Sequence, residues 1–223
     1  MAKRLSLLAT LIFLLLVSVV AKAEEQVQAA VFKEGDFWKF KIVEKPVPGF
    51  SSTAIQFLNG IFTLRHTARG RMWVQELVED KEILLESDQY IGRILSLLGL
   101  RQTGSPEGPP TTFNILLPFP LYVGKQWRNS YKTRVRTLSV PNTVNSEVVA
   151  EQQVATQAAN FRALKIERTH QIPVASPVFG SHMLNTRGAY YYSPETKSIV
   201  KYDFVGDNGY DLQIELLEFV PAH

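Results

Sequence analysis

The chain has 223 residues, 45% hydrophobic and 11% aromatic, with 24 basic and 21 acidic side chains and no cysteine. Without cysteine there are no disulfides, thiolate metal sites, iron–sulfur clusters or thiol nucleophile, and no acceptor for N-terminal lipidation. Lys3, Arg4 and Lys22 fall in the first 23 residues, which carry no acid, so the rest balances 21 bases against 21 acids and offers no basic excess to a nucleic acid.

Residues 1–23 read as a secretory signal peptide. Lys3 and Arg4 form the positive start, Leu5 to Val20 an apolar run, and Ala21-Lys22-Ala23 a small-x-small cleavage site. The alternative is an uncleaved anchor, but the run is shorter than the ~20 residues that span a bilayer. Cleavage after Ala23 implies a periplasmic or secreted product with no stable membrane span. The chain has no Asn-x-Ser/Thr sequon, in keeping with a bacterial envelope. Residues 24–223 are then one β-rich domain, large enough to bury about 70% of its unfolded surface.

The dominant period in that domain is two. Trp38, Phe40 and Ile42 alternate with Lys39 and Lys41, and Tyr210, Leu212, Ile214 and Leu216 alternate with Asp211, Gln213 and Glu215. Such half-buried strands suit an antiparallel sheet. Further strands are expected at about 61–68, 71–79, 81–87, 127–139, 144–156, 161–171, 183–192 and 198–205. Asn59-Gly60 and Asn208-Gly209 are type I′ turn signals, and Ser193-Pro194-Glu195-Thr196 reads as a proline turn. Between Ser87 and Gly99, the apolar residues Tyr90, Ile91, Ile94, Leu95 and Leu98 share one helical face, and Gly99 is placed to end the helix. A strand is the alternative there. Residues 102–120, with five prolines, read as an extended surface loop. The expected fold is mainly β: a curled antiparallel sheet, half-barrel or open barrel, with one short helix.

Catalytic and metal constellations are missing from the pattern. The four histidines, at 66, 170, 182 and 223, lack metal-ligand spacing. His66 and His170 read as exposed or hydrogen-bonded sheet residues. Ser181 and His182 are neighbours on a strand and point to opposite faces. Asp203, Asp207 and Asp211 miss calcium-loop spacing. Glu76, Glu79, Asp80, Glu82 and Glu86 surround a turn, and a carboxylate pair for glycoside hydrolysis would have to come from them. Lys132, Arg134 and Arg136 share a strand face, which suits either an anionic head group or a solvated surface with Glu147 and Glu151 across the strands. No catalytic residue, metal or cofactor is assigned.

The aromatic content is the positive signal. A curled sheet without a second layer encloses space, which side chains, a helix or a ligand must fill. Trp38, Phe40, Trp73, Trp127, Tyr191 and Tyr202 are the candidate wall of an apolar ligand site.

Three segments carry a resemblance. They are Pro118-Phe-Pro-Leu-Tyr-Val-Gly-Lys-Gln-Trp127, then Ala159-Asn-Phe-Arg-Ala-Leu-Lys-Ile166, and Ala189-Tyr-Tyr-Tyr-Ser-Pro194 followed by Ile199-Val-Lys-Tyr202. Over about residues 115–205 the chain resembles a broad group of exported bacterial β proteins of unknown function, with Asn160 standing where that group has a small residue. The resemblance implies a curled sheet similar in shape to the periplasmic lipoprotein carriers, whose half-barrels hold acyl chains on the concave face, and it brings no catalytic residues. The expected function is therefore a non-enzymatic envelope protein that binds a lipid or lipoprotein acyl chain. The alternative is an interaction or assembly factor that binds an envelope protein through a sheet edge or the 102–120 loop.

Overall fold

The computed structural model describes residues 25–45, 58–69, 71–85, 88–100, 117–135, 138–176, 180–206 and 209–223. The leader at 1–23, the start of the proline-rich stretch through residue 116, Arg136 and the Asp207-Asn208 part of the last turn lie outside these residues.

Ten strands form one sheet. They are β1 (Phe37–Lys45), β2 (Asn59–His66), β3 (Met72–Val78), β4 (Lys81–Leu84), β5 (Gln126–Val135), β6 (Leu138–Ala155), β7 (Asn160–Ser176), β8 (Gly180–Ser193), β9 (Ser198–Gly206) and β10 (Asp211–Val220), with one helix, α1 (Asp88–Leu97), between β4 and β5. The order across the sheet is β4-β3-β2-β1-β10-β9-β8-β7-β6-β5, and every pairing is antiparallel. The sheet is curled and unclosed, as the alternation predicts. Register shifts at Lys39/Phe40, Val148/Ala150 and Tyr191/Tyr192 are the bulges that bend long strands and add twist.

This topology explains the helix. β4 and β5 are the two edges of the sheet, so the chain between them must travel from one edge to the other. It does so with α1 and the segment around Leu121. Ile94, Leu97 and Leu98 are fully buried in the core they share with the sheet. Gly99 ends the helix at φ +66°, and the Leu100 amide donates to the Leu95 carbonyl at 2.9 Å, the long bond of a Schellman cap. The Ile199 amide donates to the Leu98 carbonyl at 2.9 Å, which ties the helix end to β9. Among the alternatives, helix is correct for this segment.

One turn expectation is corrected. Asn59 and Gly60 are not a hairpin turn: they open β2, paired with Val43 and Ile42. The type I′ geometry belongs to Glu79-Asp80, at φ 47° and 63°, between the paired residues Val78 and Lys81. A two-residue connection demands this conformation of whatever residues occupy it. The Pro194 turn lies where expected, between β8 and β9.

The segment from Pro118 to Trp127 is built for structure. The Lys125 ammonium donates to the Pro118 and Pro120 carbonyls. Gly124 adopts φ +89°, which favours glycine, and its amide bonds the Val148 carbonyl at 2.7 Å. Val27 bridges Leu121 through two backbone bonds of 2.7 and 2.8 Å, so the chain after residue 24 is anchored to the same segment.

Candidate functional site

The inner face is the one that carries Trp38. Residues that share it follow from register. One row runs Val148, Ile166, Tyr190, Tyr202, Ile214 and Ile42; the next runs Trp127, Ser146, Arg168, Gly188, Phe204, Leu212 and Glu44. Most of these side chains are buried and apolar.

The six expected wall residues do not form one wall. Trp38, Phe40, Trp127 and Tyr202 lie on the inner face. Trp73 pairs with Arg65, which pairs with Phe37, so it points outward and is 56% exposed. Tyr191 pairs with Lys165 and Lys201, again on the outer face. Adjacent strand residues face opposite ways, so in the Tyr190–Tyr192 run Tyr191 points away from Tyr190. Trp38 and Phe40 are fully covered by the chain itself. The Trp38 indole N–H donates to the Thr196 carbonyl at 2.7 Å, and its ring packs on Phe32 and Phe219 at 5.7 and 5.8 Å.

A row of rings crosses the inner face from β8 to the end of β9: Tyr190 on Tyr202, Tyr202 on Phe204, and Phe204 on Tyr210, each pair 5.8 Å apart. The Tyr210 hydroxyl then donates to Glu44 at 2.6 Å, and the same carboxylate accepts the Leu58 amide at 2.8 Å.

Beside those rings lies a polar cluster that the alternation did not bring to notice. Ser146, Arg168, His170 and Thr186 are all buried on the inner face. Arg168 stands in register with Ser146 on one side and Gly188 on the other. A side chain at Gly188 would meet Phe204 Cδ2 at 2.6 Å, so the phenyl ring occupies the space beside the guanidinium. Arg168 bonds the Tyr202 hydroxyl, and Ser146 bonds the Tyr190 hydroxyl. Burial pushes both tyrosines up, so they stay protonated. Burial first, and the Arg168 charge second, push His170 down to about 4, which leaves it neutral at pH 7. Arg168 Nε and Thr186 Oγ1 have no hydrogen-bond partner. The signal was readable: Ile166, Arg168 and His170 share one phase of the alternation, opposite Lys165, Glu167 and Thr169. A charge in the apolar phase of a strand marks a buried polar group.

Other sequence candidates separate. Lys132 pairs with Pro141 and Arg134 with Ser139, while Glu147 faces Gln126 and Glu151 faces Leu164. Glu147 and Glu151 are therefore not the cross-strand neighbours of Lys132 and Arg134, because the β5–β6 hairpin sets the end of β5 against the start of β6. Glu76 and Glu82 lie on opposite faces of the β3–β4 hairpin, so they are no catalytic pair. His170 is buried, while His66 is half-buried against Phe32 at 5.8 Å. Among the described residues no group of three acids or histidines could hold a metal, and no helix is long and apolar enough to cross a membrane. A groove of about 470 Å³ lies over β5–β7. Its lining combines Arg128, Glu147 and Glu167 of the outer face with Trp127 and Ser146 of the inner one.

No protein-family model and no curated protein matches the chain. Solved structures do. An exported protein with YmcC-like fold from Bacteroides fragilis is 14% identical, with a TM-score of 0.42 over 87% of this chain and 99% of that one. A lipoprotein from Parabacteroides distasonis is 11% identical, with a TM-score of 0.40 over 88% and 100%. The hypothetical lipoprotein YmcC from Escherichia coli is 6% identical, with a TM-score of 0.35 over 84% and 86%. At these values none of them bears on what this chain binds.

Proposed function

We propose that this chain is an exported, non-enzymatic protein of the bacterial envelope, periplasmic or secreted, that holds a hydrophobic ligand such as a lipid or acyl chain against its curled sheet. The observation that carries the reading is the inner face of an unclosed sheet, apolar and aromatic from Val74 on β3 to Val148 on β6. Apolar burial supplies about 25 cal/mol per Å² of ligand surface removed from water. The signal-peptide pattern at 1–23 supports export, and the motif resemblance over 115–205 supports a lipid carrier's shape. The absence of a recognisable catalytic pattern in the sequence supports a binding role. Because Trp38, Phe40, Tyr190 and Tyr202 are all covered by the chain itself, the ligand wall moves to half-buried Trp127. Protein recovered from its native host should carry lipid detectable by mass spectrometry after organic extraction. Protein that is free of lipid on repeated extraction would refute the reading.

A second reading, an envelope interaction or assembly factor, rests on a different observation. β4 is an edge strand, exposed along its whole length. Ile83 and Leu84 are 49% and 48% exposed. Such an edge accepts a partner's strand. An Ile83→Lys variant that loses a co-purifying envelope protein while its extract stays free of lipid would favour this reading over the first.

A further inference from the structure

The apolar inner face contains one feature that an apolar ligand alone does not use. Arg168 is only 5% exposed, and no carboxylate among the described residues forms an ion pair with it. Its guanidinium is charged at every accessible pH. A buried charge of this kind is strongly unfavourable unless an opposite charge meets it. Its bond to Tyr202 supplies a neutral oxygen and no compensating charge, and Nε is left over. Glu44, in the same row, stands four strands away and accepts from Tyr210 and Leu58.

The groups around Arg168 are suited to an anion. Thr186, one row further along β8, is 4% exposed, and its Oγ1 is unpartnered. The nearby hydroxyls of Ser146, Tyr190 and Tyr202 are protonated donors. His170 is neutral, so it adds no competing charge. On the other side the neighbours are apolar: Ile166, Val148, Tyr190 and Tyr202 form the adjoining row, covered by the chain itself, and half-buried Trp127 lies beyond Ser146 at the β5 edge.

We propose that the inner face binds an anionic amphiphile, with a carboxylate or phosphate head on the Arg168 guanidinium and Thr186, and the apolar tail running past Ser146 to Trp127 and the groove these two line. The inference rests on the ligand-binding reading above and specifies the chemistry of that ligand. The planar guanidinium fork matches both head groups in two-point contact. Head and tail are then read separately: the tail by area, the head by one buried charge.

The test uses the full chain expressed with its own leader, and three ligands of equal tail length: dodecanoate, dodecyl phosphate and monolauroylglycerol. Titration calorimetry should show at least one anionic ligand binding about tenfold or more tightly than the neutral one, the scale of a charge-assisted hydrogen bond. The two anions distinguish a carboxylate site from a phosphate site. Arg168→Gln should bring the preferred anionic ligand down to the affinity of monolauroylglycerol for the same variant. The Arg168 Nε–H resonance of the unmodified protein gives a readout that needs no stable variant. It should shift on adding the preferred anion and stay still with monolauroylglycerol. Equal affinity for charged and neutral ligands, a preference that survives Arg168→Gln, or an unmoved resonance would overturn the anion site while leaving a hydrophobic-ligand protein. Failure of all three ligands to bind would overturn both.

Discussion

Replacing Asp36 by asparagine tests how the two halves of the sheet are locked at the Trp38 end. Asp36 immediately precedes β1 and is fully buried. Its Oδ2 accepts from the Lys197 ammonium at 2.6 Å and the Lys33 amide at 2.7 Å, and its Oδ1 from the Ala222 amide at 3.0 Å. One carboxylate thus joins the chain before β1, the β8–β9 turn and the C-terminus. Asparagine keeps the shape but loses the charge, and it turns an NH₂ toward a donor. Breaking a buried ion pair costs about 3–5 kcal/mol. The Lys197 side chain is 19% exposed and can reach water after the change, so the low end applies, about 3 kcal/mol. For a domain of this size that lowers Tm by roughly 6–12 °C, measurable by circular dichroism at pH 7.

The pH dependence gives the sign. Burial pushes the Asp36 carboxyl up, but the Lys197 ammonium and the Lys33 and Ala222 amides outweigh it, and its pKa lies below the ordinary 3.8. A carboxyl depressed in the folded state contributes stability above its unfolded pKa, which is lost as pH falls through its folded value. Wild type should therefore converge on Asp36→Asn below about pH 4. A loss under about 1 kcal/mol at pH 7, or a gap unchanged in acid, would refute the claim that the charged carboxylate is what holds this junction.

The remaining predictions concern packing on the two faces. Gly188→Ala should destabilise by about 1–3 kcal/mol or more in urea titration, because the added carbon meets the Asp203 carbonyl oxygen at 2.8 Å and Phe204 Cα at 2.9 Å, which are backbone atoms that cannot rotate away. A neutral result would mean that β8 and β9 are further apart at this point. Trp38→Ala should lose about 3–5 kcal/mol as a core cavity, whereas Trp73→Ala, on the exposed outer face, should change stability by about 0.5 kcal/mol or less. Equal losses at the two tryptophans would reverse the face assignment.

The sequence by itself determined the fold class and the pairing direction. Alternation in Trp38–Ile42 and Tyr210–Leu216, and short connections such as Pro194–Lys197, are local properties, and a period of two with tight turns leaves antiparallel pairing as the outcome. It also placed the end of α1 at Gly99, because a positive φ at a helix end is a local demand. Only the tertiary structure decided that β1 joins β10, since pairing between distant segments depends on which edges remain free. It alone put Trp73 and Trp38 on opposite faces, because phase is not carried from one strand to another without knowledge of register. The Arg168 site lies between these cases. Its place in the apolar phase of β7 was legible, but its isolation was not: the groups around it come from β6, β8 and β9, brought alongside by the pairing and register of those strands.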